Sequence, residues 1–184
     1  MARTESTMLA LGTPAPDFSL PDVVSGKTVD LQSTVGAKGL LVMFICRHCP
    51  FVKHLEKALA QLGRDYDGKG IGIVAVSSND AVNHPDDAPV SLAEQAREVG
   101  FAFPYLYDET QETARAYDAV CTPDFFLFNS DRKLVYRGQF DESRPGNDVP
   151  VTGRDLRDAM DALLTGKPIH AAQKPSLGCN IKWK

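Results

Sequence analysis

A Cys-x-x-Cys pair stands where two patterns meet, and that junction limits what this chain can fold into. Leu40-Leu41-Val42-Met43-Phe44-Ile45 is an unbroken apolar run that reads as a buried strand. Cys46-Arg47-His48-Cys49-Pro50 follows at once, and Pro50 to Tyr66 reads as an amphipathic helix. Proline is well tolerated in a first helical turn, so Pro50 can start that helix. The two thiols then sit at the amino end of a helix, where the positive end of the dipole favours a thiolate. A thiolate with a second thiol three residues away can attack a disulfide and be resolved within the chain. These residues point to dithiol redox chemistry.

The rest of the chain supplies the frame for this unit. Phe18-Ser19-Leu20 and Thr28-Val29-Asp30-Leu31 read as a hairpin turning at Ser25-Gly26. Ile71 to Val76 is a second buried strand, and Ser77 to Pro89 a polar loop. Ser91 with Glu94 three residues on is a capping-box pattern for a helix over Leu92 to Val99. Phe103 to Tyr107 reads as an edge strand, because Pro104 cannot donate to a ladder. A helix over Thr110 to Tyr117 precedes a hairpin of Phe125–Phe128 with Leu134–Arg137. A last helix, Arg154 to Leu164, is ended by Gly166 and Pro168, and residues 168–184 form a tail with little periodicity. Strands joined through a helical crossover run parallel and the closing hairpin runs antiparallel, so the expected fold is α/β with a mixed sheet covered by helices on both faces.

Composition narrows the partners. The 184 residues allow one domain, spanning 1–184, with a sizeable core. A net charge of -4 argues against a general nucleic-acid surface and gives no reason for binding an anionic membrane. The stretch before Pro14 lacks a secretory h-region and no apolar run is long enough to span a membrane, so a cytoplasmic location is expected. In a reducing compartment a Cys-x-x-Cys pair is catalytic or metal-binding more often than structural. A second Cys-x-x-Cys or a His pair at ligand spacing is absent, so neither a metal nor another cofactor is expected.

These residues resemble the thioredoxin superfamily, and within it the redoxin group that includes AhpC/TSA-type peroxiredoxins and bacterial thiol-disulfide oxidoreductases. Ala15-Pro16-Asp17-Phe18-Ser19-Leu20 is similar to the opening of redoxin domains, and Phe44 to Pro50 to the active-site turn. Thr122-Pro123 stands where such proteins carry a cis-proline, and Lys133 to Gly138 resembles the strand that follows. The Gly178 to Trp183 tail is similar to that of peroxiredoxin-like thioredoxin-family proteins. The resemblance implies a thioredoxin-like fold with an amino-terminal β-hairpin extension. It also implies an exposed, attacking Cys46 and a more buried, resolving Cys49.

Arg47 and His48 would support that thiolate. Protein disulfide isomerase and DsbA also carry His before the second Cys, and the pair is expected to be more oxidising than thioredoxin, at about -270 mV. Thr122 would offer backbone groups to substrate beside Pro123. Cys121 and Cys179 are possible auxiliary thiols; the plainer readings are a buried free Cys and a docked tail. Substrates would be protein or small-molecule disulfides, with a thioredoxin-type or glutathione-type donor. Thioredoxin's buried Asp is replaced by Leu40. In the peroxiredoxin Thr-x-x-Cys register, Cys46 takes the Thr position and Cys49 that of the peroxidatic Cys. An atypical antioxidant peroxidase and a non-catalytic redox-sensing module are therefore the alternatives.

Overall fold

The computed structural model describes residues 3–184. Its elements run β1 (Arg3–Glu5), β2 (Ser19–Pro21), β3 (Thr28–Asp30), the short helix α1 (Leu31–Thr34), β4 (Gly39–Phe44), α2 (Pro50–Tyr66) and β5 (Ile71–Ser77). A 3-10 turn at Pro85–Asp87 leads into α3 (Pro89–Val99). Then come β6 (Tyr105–Tyr107), α4 (Glu112–Ala116), β7 (Cys121–Thr122), β8 (Asp124–Asn129), β9 (Leu134–Arg137), α5 (Arg154–Thr165) and β10 (Leu177–Asn180).

The central sheet has the order β6-β5-β4-β8-β9. Val42 pairs with Val74 in the parallel β4–β5 ladder and with Phe126 in the antiparallel β4–β8 ladder. β4 lies in the middle, which is why its run is apolar without alternation. Leu41, Met43 and Ile45 pack on the face covered by α2, α3 and α5. Leu40, Val42 and Phe44 pack on the other, with Phe18, Leu31, Ala114 and Tyr117. This is the mixed thioredoxin-like α/β architecture expected from the sequence. β2 and β3 form the expected hairpin, with Leu20 opposite Val29.

Three local readings are corrected. Leu31 does not extend β3: the Asp30 carboxylate accepts the Ser33 N–H at 2.8 Å and caps α1 instead. α3 starts at Pro89 and not at Leu92, because the fixed φ of proline suits the first helical position. Ser91 lies inside that helix, and its hydroxyl donates to the Pro85 carbonyl at 3.2 Å. The tail is not irregular throughout, since β10 is the middle strand of a second sheet, β1-β10-β7. Those strands are too short to print a periodicity, and only their pairing reveals them.

Gly178 permits this pairing. A Cβ there would lie 1.9 Å from the Thr122 carbonyl oxygen, which is backbone and cannot swing aside. Gly178→Ala should cost about 1–3 kcal/mol and loosen β10 from β7. The measurable result is at least about a tenfold faster reaction of the buried thiols with an aromatic disulfide reagent. An unchanged rate would mean that the tail does not shield them.

Candidate active site

After β4 ends at Phe44, the chain turns through Cys46–Cys49 before α2 begins. Cys49 is the N-cap residue of α2 and Pro50 takes the first helical position. The Cys49 sulfur thus lies at the positive end of the helix, near the Val52 N–H. Facing it, β7 brings Thr122, whose peptide bond to Pro123 is cis, as the sequence suggested. Cys49 Sγ as a thiol donates to the Thr122 carbonyl at 3.1 Å. Cys46 Sγ is 3.3 Å from the Thr122 hydroxyl. β10 adds Cys179, which lies across from Thr122 in the register and within hydrogen-bonding reach of Cys49.

The two motif thiols titrate as a pair, and their surroundings favour the charge on Cys49. Donation from the Cys46 thiol, helped by Cys179, the Val52 N–H and the Thr122 hydroxyl, outweighs burial and brings Cys49 down to about 5. Burial, donation to Cys49 and the nearby Asp87 charge push Cys46 well up. Between two touching thiols the first charge settles where donors converge, and here that is the helix end. The expected exposure of Cys46 is not met, and it is Cys49 that stands at the positive end of α2. Both residues are 0% exposed. The tail strand and a buried carboxylate lie against this pair, and neither is visible in the Cys-x-x-Cys pattern.

That carboxylate is Asp87, itself 0% exposed. It accepts the Arg47 N–H at 2.8 Å, the His48 N–H at 3.1 Å and the Asn79 amide at 2.7 Å, and it pairs with His48 Nδ1. Burial pushes Asp87 up, but its partners outweigh burial and hold it below the ordinary carboxylate range. The same hydrogen bond raises His48 above its usual value, despite burial. His84 stacks on the His48 ring, with centroids 5.5 Å apart.

Asp87, Asn79 and His84 escaped the sequence reading, which took Ser77 to Pro89 as a polar loop. A signal was present. β4 and β5 are parallel neighbours, so the loop after β5 must emerge beside the turn after β4, where α/β sheets gather their sites.

Arg47 is corrected too. Its guanidinium donates to the Ser91 carbonyl at 2.7 Å and pairs with Glu94 at 2.8 Å. The motif is thereby fastened to α3, and the charge is spent there and not on the thiols. His48 serves Asp87 first. Cys121 lies on the alternate face of β7 from Thr122, buried, and its thiol donates to the Pro123 carbonyl at 3.7 Å. Among the described residues, ligand atoms of Cys46, His48 and Asp87 lie within 4.8 Å of one another. A metal there would have to displace the His48–Asp87 hydrogen bond.

A model of the AhpC/TSA family matches residues 11–137, which hold the hairpin, the thiol turn and the cis-proline. The chain belongs to the AhpC/TSA family.

Other proteins similar to this AhpC/TSA-family chain agree with its fold. The thiol-disulfide oxidoreductase ResA of Geobacillus thermodenitrificans (strain NG80-2) is 28% identical over 131 residues, 71% of this chain and 70% of that one. The crystal structure of an uncharacterized conserved protein from Geobacillus kaustophilus is 53% identical, with a TM-score of 0.98 over 100% of this chain and 97% of that one. A thioredoxin-family thiol:disulfide interchange protein from Chlorobium tepidum TLS, 19% identical, matches with a TM-score of 0.65 over 84% of this chain and 98% of that one, which speaks to fold alone. At family level the function is redox. Among the described residues no helix is long and apolar enough to cross a membrane.

Proposed function

We propose that this protein is a thiol-disulfide oxidoreductase in which Cys49 attacks and Cys46 resolves. The reading is carried by one observation: Cys49 Sγ stands at the N-cap of α2, 3.1 Å from the Thr122 carbonyl that precedes the cis Pro123, where the helix end favours a thiolate. The Cys49 thiolate attacks one sulfur of a disulfide RS–SR, and RS⁻ leaves and takes up a proton. Cys46 then gives up its proton and attacks Cys49 Sγ. The second RS⁻ leaves as a thiol and a Cys46–Cys49 disulfide remains. Two electrons pass from the protein to the substrate, and a thioredoxin-type or glutathione-type donor returns them. A stabilised thiolate favours the reduced pair, so the disulfide is the better oxidant.

The substrate is a small disulfide in this reading. The edge of β7 beside Thr122, where an extended polypeptide could pair, is taken by β10. A compact molecule needs only local opening to reach sulfurs without exposed surface. Peroxide is the second reading, favoured because the acidic thiol is the one in the peroxidatic register. Three arginines do not assist it. Arg47 pairs with Glu94, Arg137 donates to the Leu9 carbonyl and Gln173, and Arg144 to Asp141, Ser143 and Gln139.

The test is carbamidomethylation of the reduced protein across pH, with peptide mapping. A depressed thiol pKa means that the reactive form is present at neutral pH and is lost as pH falls through about 5. Cys49 labelling and small-disulfide turnover should fall together on that side. Labelling of Cys46 ahead of Cys49 would overturn the assignment. Turnover of hydrogen peroxide but of no disulfide would move the reading to a peroxidase.

A further inference from the structure

Three sulfurs meet at the start of α2. Cys179 lies directly across from Thr122, whose carbonyl faces Cys49 Sγ at 3.1 Å. Gly178 lets the two backbones approach closer than any Cβ would allow. The strand is held along both edges, by β1 and by β7. It is also anchored beyond both ends. The Ser176 hydroxyl donates to the Pro123 carbonyl at 2.6 Å, and the Lys182 N–H donates to Asn79 Oδ1 at 2.8 Å. Asn79 is the residue that also donates to Asp87, so the tail anchor and the thiol turn share a side chain. Cys179 is 2% exposed and is fixed against Cys49 by this frame.

We propose that Cys179 is a second resolving thiol, which closes a Cys49–Cys179 disulfide in the oxidised protein. The inference rests on Cys49 as the attacking thiol. Once Cys49 carries an RS group from a small disulfide, Cys179 releases its proton and attacks Cys49 Sγ. RS⁻ leaves and takes the proton, so one S–S bond forms as another breaks and no further oxidant is consumed. The same product arises from the Cys46–Cys49 disulfide by exchange, with Cys46 leaving as the thiol. The two internal disulfides are isomers at one oxidation level. One of them ties the tail covalently over β7. Burial and the facing Cys49 charge hold the Cys179 proton on in the reduced state, and the second influence vanishes when Cys49 enters a mixed disulfide.

Trypsin separates the three sulfurs. Cleavage after Arg47 puts Cys46 on Gly39–Arg47 and Cys49 on His48–Lys53, while Cys179 falls on Asp158–Lys182. Reduced full-length wild type, Cys46→Ala, Cys179→Ser and the Cys46→Ala/Cys179→Ser double variant are treated with 2-hydroxyethyl disulfide, acid-quenched, alkylated and mapped. Wild type should yield the Cys49–Cys179 linked pair beside Cys46–Cys49. Cys46→Ala should yield Cys49–Cys179 stoichiometrically, Cys179→Ser only Cys46–Cys49, and the double variant a lasting hydroxyethyl adduct on Cys49. Cys46→Ala that retains the adduct, with Cys179 free to alkylate, overturns the proposal. If Cys46→Ala does not fold, the wild-type map decides, and absence of the Cys49–Cys179 pair there overturns it. A folded double variant that takes up no adduct on Cys49 defeats the attack assignment itself, and the Cys179 inference falls with it.

Discussion

Cys49→Ser is expected to lose small-disulfide turnover by at least about a thousandfold, the scale on which loss of a covalent nucleophile registers. A hydroxyl has the wrong acidity to inherit the role, since the donors that stabilise a thiolate at Cys49 cannot ionise an alcohol near neutral pH. Cys46→Ser should behave differently. Its first step survives, because the attacking sulfur and the Val52 N–H are untouched. The asymmetry is the readout: a single-turnover burst of released thiol from Cys46→Ser and none from Cys49→Ser. A burst in Cys49→Ser would return the attack to Cys46. The Cys49 variant should fold, because Ser is a good N-cap residue and fits the start of α2.

Asp87→Ala should have the largest effect on stability. Four donors converge on this buried carboxylate, and its removal strands the Arg47 and His48 N–H groups, the Asn79 amide and the His48 ring. Breaking a buried pair with one partner left in place costs about 3–5 kcal/mol, to be read from urea unfolding. Asp87→Asn keeps an acceptor for part of the network and should cost less. Its informative effect is chemical. The Asp87 charge helps to keep Cys46 protonated, so its removal should ease Cys46 ionisation and narrow the labelling gap between the two thiols. A pH effect accompanies this. His48 is raised above 6.5, so its pairing contributes in full below the unfolded value and fades as pH rises through the folded one. The stability advantage of wild type over Asp87→Asn should therefore shrink as pH rises above about 6.5. An advantage that does not change with pH would show that the pair does not set it.

Much of this architecture was written locally. Leu40 to Ile45 announces a strand covered on both faces, Pro50 marks the first turn of α2, and Gly166 the end of α5. Thr122-Pro123 could be placed because the hairpin after it was clear. The misses have a common cause, which is distance along the chain. Asp87 is recognisable only once β4 and β5 are known to be parallel neighbours. Cys179 gains a role only through its register with Thr122, and nothing near either residue reports that register. Arg47 looked like a charge for the thiols until Glu94 claimed it. Local pattern shows the motif, while tertiary pairing decides what surrounds its two sulfurs.

The β1-β10-β7 sheet also sets a timetable. The Ser176 N–H donates to the Ser6 hydroxyl, a contact that spans 170 positions of sequence. Such partners meet only after the chain between them has been made, and long-range pairings of this kind form late because loop closure must precede them. The thiol turn is therefore translated and helix-capped while its cover does not yet exist. Until β10 pairs, Cys46 and Cys49 lack the strand that lies over them in the folded protein. Pairing of β10 between β1 and β7 is thus the step that encloses the thiols.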